Sequence, residues 1–208
     1  VDFPGGEAVA FKDGLFFTVD PISQVGRSCG LYDGTSWDAL DFASAEGDPD
    51  PLVSVDASDE NVWWYGRVTT EITYNAGLEG FPLQRRSGGV LNFGLAASKS
   101  LAQNNQARFF LARTTAPQGE RVIVMVRDFT PTIISPRGMN EEIAKFTTVS
   151  DAEGFAYMRE GHSFYVITFP SAGRTFVYDA SEQLWHERSS VVAGADVRWR
   201  SRAYAYFN

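Results

Sequence analysis

The chain has 208 residues, of which 44% are apolar and 14% are aromatic, so it can build a sizeable core in a single domain. Its formal net charge of −8 and pI of about 4.8 argue against non-specific binding to DNA or to anionic membranes. No apolar run approaches the ~20 residues that a membrane-spanning helix needs, so we expect no membrane partner.

Short strands joined by tight turns are predicted throughout the chain. The sequence contains 16 Phe, 8 Tyr and 5 Trp together with 19 Gly and 9 Pro, a balance that favours β-structure. Four segments share one plan, in which a strand with paired aromatics is followed by a polar turn and a second apolar strand. In chain order these segments begin with DGLFFTVD (13–20), ENVWWYGR (60–67), QARFFLAR (106–113) and GHSFYVITF (161–169).

A repeat of nearly constant length relates these segments. The second aromatic of each pair is Phe17, Trp64, Phe110 or Tyr165, at steps of 47, 46 and 55 residues. Propeller blades of four strands occupy about 40–50 residues. The sequence therefore predicts an all-β fold, a β-propeller of four or more four-stranded blades in one fragment spanning 1–208. A β-sandwich with aromatic strands is the alternative. The predicted repeat units are approximately 10–45, 52–90, 100–137 and 150–190, with a further unit starting at 197.

Local patterns add detail to this plan. The stretch NEEIAKF (140–146) predicts a short amphipathic helix inserted between two blades. The stretch 175–190 predicts a hairpin, with strands at 175–178 and 184–187 and a turn at 179–181. We expect Tyr178 and Trp185 to pack and Asp179 to serve the turn. Because residue 1 is Val and not Met, we expect the sequence to be a piece of a longer protein. No signal peptide opens the chain, and we expect the protein to be made in the cytoplasm.

Few residues point to catalysis. His186 and Glu187 are adjacent in a predicted strand, so they point to opposite faces and cannot converge on one substrate. His162 begins another strand, and the scattered histidines give no zinc spacing. Cys29 is the only cysteine, which excludes an internal disulfide, and we expect its thiol to be packed rather than nucleophilic. We predict no catalytic, cofactor-binding or metal-ligating residue.

Two loops invite a binding interpretation. The stretch 41–51 carries Asp41, Glu46, Asp48 and Asp50, but it lacks a regular calcium-loop signature, so we predict a solvated loop stiffened by Pro49 and Pro51. YDGTSW (32–37) is similar to the Asp box of sialidase-type propellers. However, Asp33 and Gly34 are adjacent instead of separated by one residue, and Asp-Gly is in any case a good hairpin turn.

Arginines alternate near the end of the sequence. Arg198, Arg200 and Arg202 are predicted to line one face of a strand that Tyr204 and Tyr206 continue. Basic residues with aromatic neighbours can bind nucleic acid. Because the whole chain is acidic, we favour arginines that form a polar face or pair with acidic residues of a neighbouring blade. Arg85 and Arg86 are weaker candidates for the same kind of nucleic-acid contact.

Five stretches resemble the packaged-DNA stabilisation proteins, also called tail accessory or hub proteins, of short-tailed phages and related prophages. The most specific of them is 160–190, followed by the Trp-Asp-Ala-Leu-Asp-Phe-Ala segment at 37–43. The five stretches are 31–55, which contains that segment, 61–77, 81–102, 160–190 and 199–207.

This resemblance implies a β-propeller in the tail of a virion, present as a homo-hexameric ring below the portal and the head-to-tail adaptor. The ring would extend the DNA channel, help to retain packaged DNA, and dock tailspikes or tail fibres and a tail needle. It implies no catalytic residues and so no enzyme, and the net charge of −8 argues against strong general nucleic-acid binding. The alternatives are a carbohydrate-binding or carbohydrate-active propeller of kelch or sialidase type, and a DNA-binding protein.

Overall fold

A computed structural model describes residues 3–6, 8–20, 22–43, 50–58, 60–104, 107–115 and 119–204, with only the backbone described at 39–43. Within these ranges the regular structure is nearly all antiparallel β, so the all-β prediction is confirmed. The chain forms two compact units. The first comprises Val1–Leu95 and Arg113–Gly119, and the second comprises Ala96–Ala112 and Glu120–Asn208.

The first unit contains two four-stranded sheets, each an up-and-down meander in chain order. Polar turns separate runs that carry aromatic and β-branched residues, as strands on a pleated surface require. The first sheet consists of β1 (Val9–Lys12), β2 (Leu15–Val19), β3 (Gly26–Gly30) and β4 (Asp33–Ala43). The second consists of β5 (Leu52–Ser58), β6 (Asn61–Gly66), β7 (Thr70–Asn75) and β8 (Leu83–Leu91), and β9 (Phe93–Leu95) follows it.

One core lies between these two sheets. Phe17 and Trp64 meet edge to face with their ring centroids 6.0 Å apart, and Phe81 contacts both rings. The sheets approach each other most closely at their first strands, because β5 lies beside β1 and β2. In β6, Val62, Trp63, Trp64 and Tyr65 are all buried, so both faces of that strand are covered.

The aromatic residues that define the sequence repeat share a strand position but not a face. Phe17, Trp64, Phe110 and Tyr165 all lie on the second strand of their sheets. Phe17 and Trp64 nevertheless point at each other across one core. In the second unit it is Phe109, and not Phe110, that stacks on Tyr165. A shift of one residue along a strand reverses the face of a side chain, and spacing alone does not reveal such a shift.

A carboxylate fixes the turn between β2 and β3. Asp20 Oδ1 accepts hydrogen bonds from the backbone of Ile22 (2.8 Å) and Ser23 (3.2 Å), and Asp20 Oδ2 lies 3.4 Å from Arg27 Nη2. The hydrogen bonds from Ser23, opposed by partial burial and reinforced by Ile22 and Arg27, lower the pKa of Asp20 from 3.8 to about 2.

This depressed pKa predicts an acid-dependent loss of stability. Since the folded state binds this proton less readily than the unfolded state, the stabilisation is complete above about pH 4 and is lost as the pH falls towards 2. We expect Asp20→Asn to be less stable at neutral pH and to show a shallower decline between pH 4 and 2. Urea denaturation across this range measures both slopes, and equal slopes for the two proteins would contradict the assignment.

The second unit also contains two four-stranded meanders. A 3-10 helix (Ser98–Ser100) precedes the first of these, which consists of β10 (Ala102–Gln103), β11 (Arg108–Thr114), β12 (Arg121–Arg127) and β13 (Thr130–Ile133). The other consists of β14 (Glu153–Arg159), β15 (His162–Phe169), β16 (Arg174–Asp179) and β17 (Leu184–Glu187). Strand β14 lies beside β10, so these two sheets also approach each other at their first strands.

The predicted helix is present as α1 (Arg137–Ile143), which starts three residues before the predicted stretch and ends before Lys145. Pro136 precedes its first turn, where a residue without a backbone N–H is tolerated. Ile143 is fully buried and anchors the helix in the core of the second unit.

The predicted strand through Arg198, Arg200 and Arg202 is wrong. A two-stranded hairpin, β18 (Ser189–Val192) and β19 (Ala195–Arg198), ends where that strand was expected to begin, and 199–204 has no regular structure. Side-chain contacts hold this segment instead. The backbone N–H of Trp199 donates to Thr175 Oγ1 (3.2 Å), and its ring lies 6.2 Å from that of Phe155. Tyr206 lies outside the described residues.

Candidate functional site

The hairpin predicted within 175–190 is confirmed, as β16 and β17 form it with strands at Arg174–Asp179 and Leu184–Glu187. Tyr178 is directly opposite Trp185, with their ring centroids 5.0 Å apart, and Trp185 Nε1 donates to the carbonyl oxygen of Ile134 (2.7 Å). Asp179 Oδ1 accepts from the backbone of Ser181 (2.9 Å) and Glu182 (3.3 Å). The packing and turn-forming roles expected of these residues are therefore present.

Asp179 also binds a histidine. His162 Nδ1 lies 2.6 Å from Asp179 Oδ2, and the imidazole stacks on Phe164. Partial burial raises the pKa of Asp179, but the hydrogen bonds from His162, Ser181 and Glu182 outweigh it, so the pKa lies below its usual value. These contacts account for both oxygens of Asp179. The pair ties the start of β15 to the turn after β16 and presents no nucleophile.

His186 and Glu187 do not converge. They are adjacent on β17, and Glu187 is bound by Arg174 on the neighbouring strand, with Nη2 2.8 Å from Oε2. Arg174 also bonds Glu142 of α1 and lies over the ring of Phe176. The hydrogen bond to Glu187, opposed by desolvation and aided by Glu142, raises the pKa of Arg174. This network fixes α1 to the sheet formed by β14, β15, β16 and β17.

Cys29 is packed, as expected. Its side chain is 2% exposed, its sulfur accepts from the backbone N–H of Phe16 (3.0 Å), and its thiol donates to the carbonyl oxygen of Gly30 (3.2 Å). In the part of the chain that the structure describes, no group of three or more His, Cys, Asp or Glu residues has the arrangement of a metal site. No helix of that part is long and apolar enough to cross a membrane.

The Asp33-Gly34 pair is not a hairpin turn, which corrects the sequence interpretation. Gly30 pairs with Asp33, so the turn is Leu31-Tyr32 and Asp33 already belongs to β4. Asp33 Oδ1 accepts from the backbone (3.0 Å) and hydroxyl (2.6 Å) of Thr35, and Trp37 Nε1 donates to the carbonyl oxygen of Gly34 (2.9 Å). The motif forms an irregularity in the β3–β4 pairing that seats a buried Trp37.

The prediction of a solvated acidic loop is wrong at Asp50. Glu46, Asp48 and Pro49 lie outside the described residues, as does the side chain of Asp41, but Asp50 is 8% exposed. Its carboxylate accepts four hydrogen bonds of 2.8–2.9 Å, from the backbone N–H groups of Arg67, Val68 and Thr69 and from Thr69 Oγ1. Asp50 thus organises the turn between β6 and β7. Spacing of acidic residues could not distinguish this internal acceptor from a surface charge.

Removing this acceptor should destabilise the fold. Because Asp50→Ala would leave several partly buried donors without a partner, we expect the free energy of unfolding to fall by about 2–4 kcal/mol. Glu79→Ala, at an exposed acidic position of the same unit, should change stability by less than about 0.5 kcal/mol. Urea denaturation of both variants measures the difference, and a small effect at Asp50 would show that these bonds are dispensable.

The arginines mostly have partners, and they do not form a basic strand face. Arg202 pairs with Glu153 (3.2 Å) and Arg85 with Glu71 (3.7 Å). Arg86 Nη2 lies 3.7 Å from Glu60, and Arg200 is exposed. Arg198 Nη1 is buried without a hydrogen-bond partner among the described residues.

Sequence reasoning missed a continuous aromatic stack on the fourth sheet. Tyr157 on β14 lies between Phe155 (centroids 6.1 Å apart) and Phe164 on β15 (4.9 Å). Tyr204 also contacts Tyr157, at 5.2 Å. Arg188 donates to the hydroxyl of Tyr157 (3.3 Å) and lies over the ring of Trp199. Strand β15 was predicted, but β14 and the cross-strand register that brings these rings together were not.

The arrangement within each unit is a pair of aromatic, antiparallel four-stranded meanders that approach at their first strands. The sequence model of the family described as "Bacteriophage P22 Gp10, beta-propeller" matches residues 6–208. The chain belongs to this phage stabilisation family. The Gp10 family assigns it a structural, DNA-stabilising role and a place in the phage particle.

Other comparisons add little to the Gp10 assignment. No curated protein matches the chain. Among solved structures it is similar to PorZ, an essential bacterial surface component of the type-IX secretion system of Porphyromonas gingivalis, at 12% identity and a TM-score of 0.47. That match covers 89% of this chain and 21% of the PorZ chain, so this chain spans about a fifth of that protein. A likeness of this size carries no functional argument.

Proposed function

We propose that this chain is part of a β-propeller in the hub of a short phage tail. The protein would form a homo-hexameric ring below the portal and head-to-tail adaptor, extend the DNA channel, and dock tailspikes or fibres and a tail needle. We place its synthesis in the bacterial cytoplasm and the finished protein in the virion tail. Membership of the Gp10 family is the observation that carries this proposal.

The packing inside each unit supports a radial arrangement of sheets. Propeller blades converge at their inner strands, and here the first strand of each sheet lies nearest the partner sheet of its unit. The outer face of the first sheet also carries exposed apolar side chains, with Val9 54%, Phe11 57% and Phe16 39% exposed. Faces of this kind need a neighbour, because an isolated apolar patch is costly in water. A further blade would supply one.

The charge of the chain fits a channel wall. It carries 26 Asp and Glu against 18 Lys and Arg. Since each phosphate–cation contact adds salt-dependent affinity, an acidic surface lets DNA pass without strong attachment. The geometry around the histidines and the cysteine offers no arranged nucleophile and base, which favours a mechanical role over a catalytic one.

Reconstitution tests the proposal. The complete purified protein, mixed with the portal–adaptor complex of its own phage, should form an assembly with six copies visible by electron microscopy. Failure to associate under conditions that assemble related tails would overturn the hub assignment. Specific binding or turnover on a glycan array would instead support the carbohydrate-binding or carbohydrate-active alternative, and tight, salt-sensitive duplex binding would support the DNA-binding alternative.

A further inference from the structure

The turn between β3 and β4 presents an aromatic side chain in an unusual way. Tyr32 occupies the second turn position with φ of 56°, a conformation that glycine or asparagine adopts more easily. Its side chain is nevertheless 84% exposed, and the adjacent Leu31 is 63% exposed. Neither burial nor backbone preference explains a tyrosine at this position.

The turn between β1 and β2 leaves room for this ring. The backbone N–H of Tyr32 donates to the carbonyl oxygen of Gly14 (2.8 Å). A Cβ atom on Gly14 would lie only 2.7 Å from Tyr32 Cε1, so the absence of a side chain there provides the space that the ring occupies. Part of the ring therefore lies against the backbone of Gly14, while most of the side chain faces water. Exposed tyrosines are common anchors in protein interfaces.

The two turns beside Tyr32 carry carboxylates, one of which, that of Asp13, pairs with Lys12 (3.1 Å). Asp13 and Asp33 flank the two turns, and hydrogen bonds from Lys12 to Asp13 and from Thr35 to Asp33 lower the pKa of each carboxyl group, so both stay ionised at neutral pH. Asp13 also accepts from Asn75 Nδ2 (3.1 Å), which joins this edge to the β7–β8 turn. That turn adds the exposed residues Leu78 and Glu79.

We propose that this surface, the Tyr32 edge (Leu31, Tyr32, Leu78, Asp13, Asp33 and Glu79), docks a separate protein through an apolar pocket with a basic rim. Charge complementarity at this edge selects this partner, because the carboxylates of Asp13, Asp33 and Glu79 would repel a nucleic acid or the same edge of another copy. The inference rests on the hub function and assigns one of its docking surfaces.

Photo-crosslinking in assembled phage particles tests the proposal. With p-benzoylphenylalanine in place of Tyr32 in the full-length protein, illumination should join it to a different protein, at a peptide rich in Lys or Arg. The matched control carries the same group at Ile22, which is 93% exposed in the β2–β3 turn of the same sheet. A yield no higher than at position 22, or joining only to DNA or to another copy, would overturn the docking surface.

A glycine variant separates docking from stability. Tyr32→Gly relieves the strained turn, so its melting temperature should equal or exceed that of the wild type. The protein identified by crosslinking should be purified, and the affinity of Tyr32→Gly for it should be lower than that of the wild type by about tenfold or more. The affinity of the wild-type protein should decrease as the salt concentration rises. Ile22→Gly should bind normally. If Tyr32→Gly bound the partner as tightly as the wild type, the role of Tyr32 as an anchor would be refuted, and the proposed hub function would stand. If the wild-type protein were absent from phage particles, both the hub function and this inference would be refuted.

Discussion

Trp64→Ala is expected to lower the free energy of unfolding of the full chain by about 3–5 kcal/mol. The indole is 3% exposed and fills the space between the two sheets of the first unit. Its Nε1 donates to Thr73 Oγ1 (3.0 Å), and its ring lies so close to Gly26 that a Cβ there would be 2.5 Å away. Truncation would therefore leave a large cavity between backbones that cannot easily close, together with an unpaired hydroxyl acceptor.

Urea denaturation measures this loss, with Ile22→Ala as the exposed control, expected to change stability by less than about 0.5 kcal/mol. Trp185→Ala provides a graded comparison. Both tryptophans are expected to pack, but Trp185 is only partly buried. Its truncation should therefore lower the free energy of unfolding clearly less than truncation of Trp64 does. Equal losses at the two positions would contradict the burial difference.

Tyr165→Ala should be comparably destabilising in the second unit, by about 3–5 kcal/mol. Tyr165 is fully buried, its ring stacks on Phe109 with centroids 5.1 Å apart, and its hydroxyl donates to the carbonyl oxygen of Ser100 (2.8 Å). Burial raises the pKa of this phenol, so it remains a neutral donor throughout the physiological range.

The conservative variant separates packing from hydrogen bonding. Tyr165→Phe keeps the stacked ring but leaves the carbonyl oxygen of Ser100 without this donor, so we expect a loss of about 1–2 kcal/mol. Chemical denaturation of both variants gives the two values. If Tyr165→Phe were as damaging as Tyr165→Ala, the hydrogen bond and not the stacked ring would dominate at this site.

The sequence predicted those parts of the fold that depend on local chemistry. The hairpin of β16 and β17 was predictable because the residues at 179–181 mark a turn between two stretches with the pattern of extended strands, 175–178 and 184–187. The helix was predictable from its amphipathic period, although its N-terminal boundary depends on Pro136, which precedes the periodic stretch. Cys29 was expected to be packed because its sequence neighbourhood contains no activating base.

What was missed depends on long-range geometry. The role of Asp50 depends on backbone donors 17–19 residues away, which no local pattern encodes. The face of each aromatic depends on register, so Phe17 and Trp64 could not be recognised as partners. The chain after Arg198 has the alternation of a strand, yet contacts from Thr175 and Phe155 hold it outside any sheet.

The first sheet, apolar on both faces, has a consequence for how the protein is made. During translation residues 9–43 emerge before 52–91, which form the sheet that covers Phe17 and its neighbours. At about 5–20 residues per second, the nascent chain exposes this apolar surface for roughly 2–10 seconds. A ribosome pause within that interval should divert the product into inclusion bodies, whereas a pause after residue 91 should be harmless to this unit.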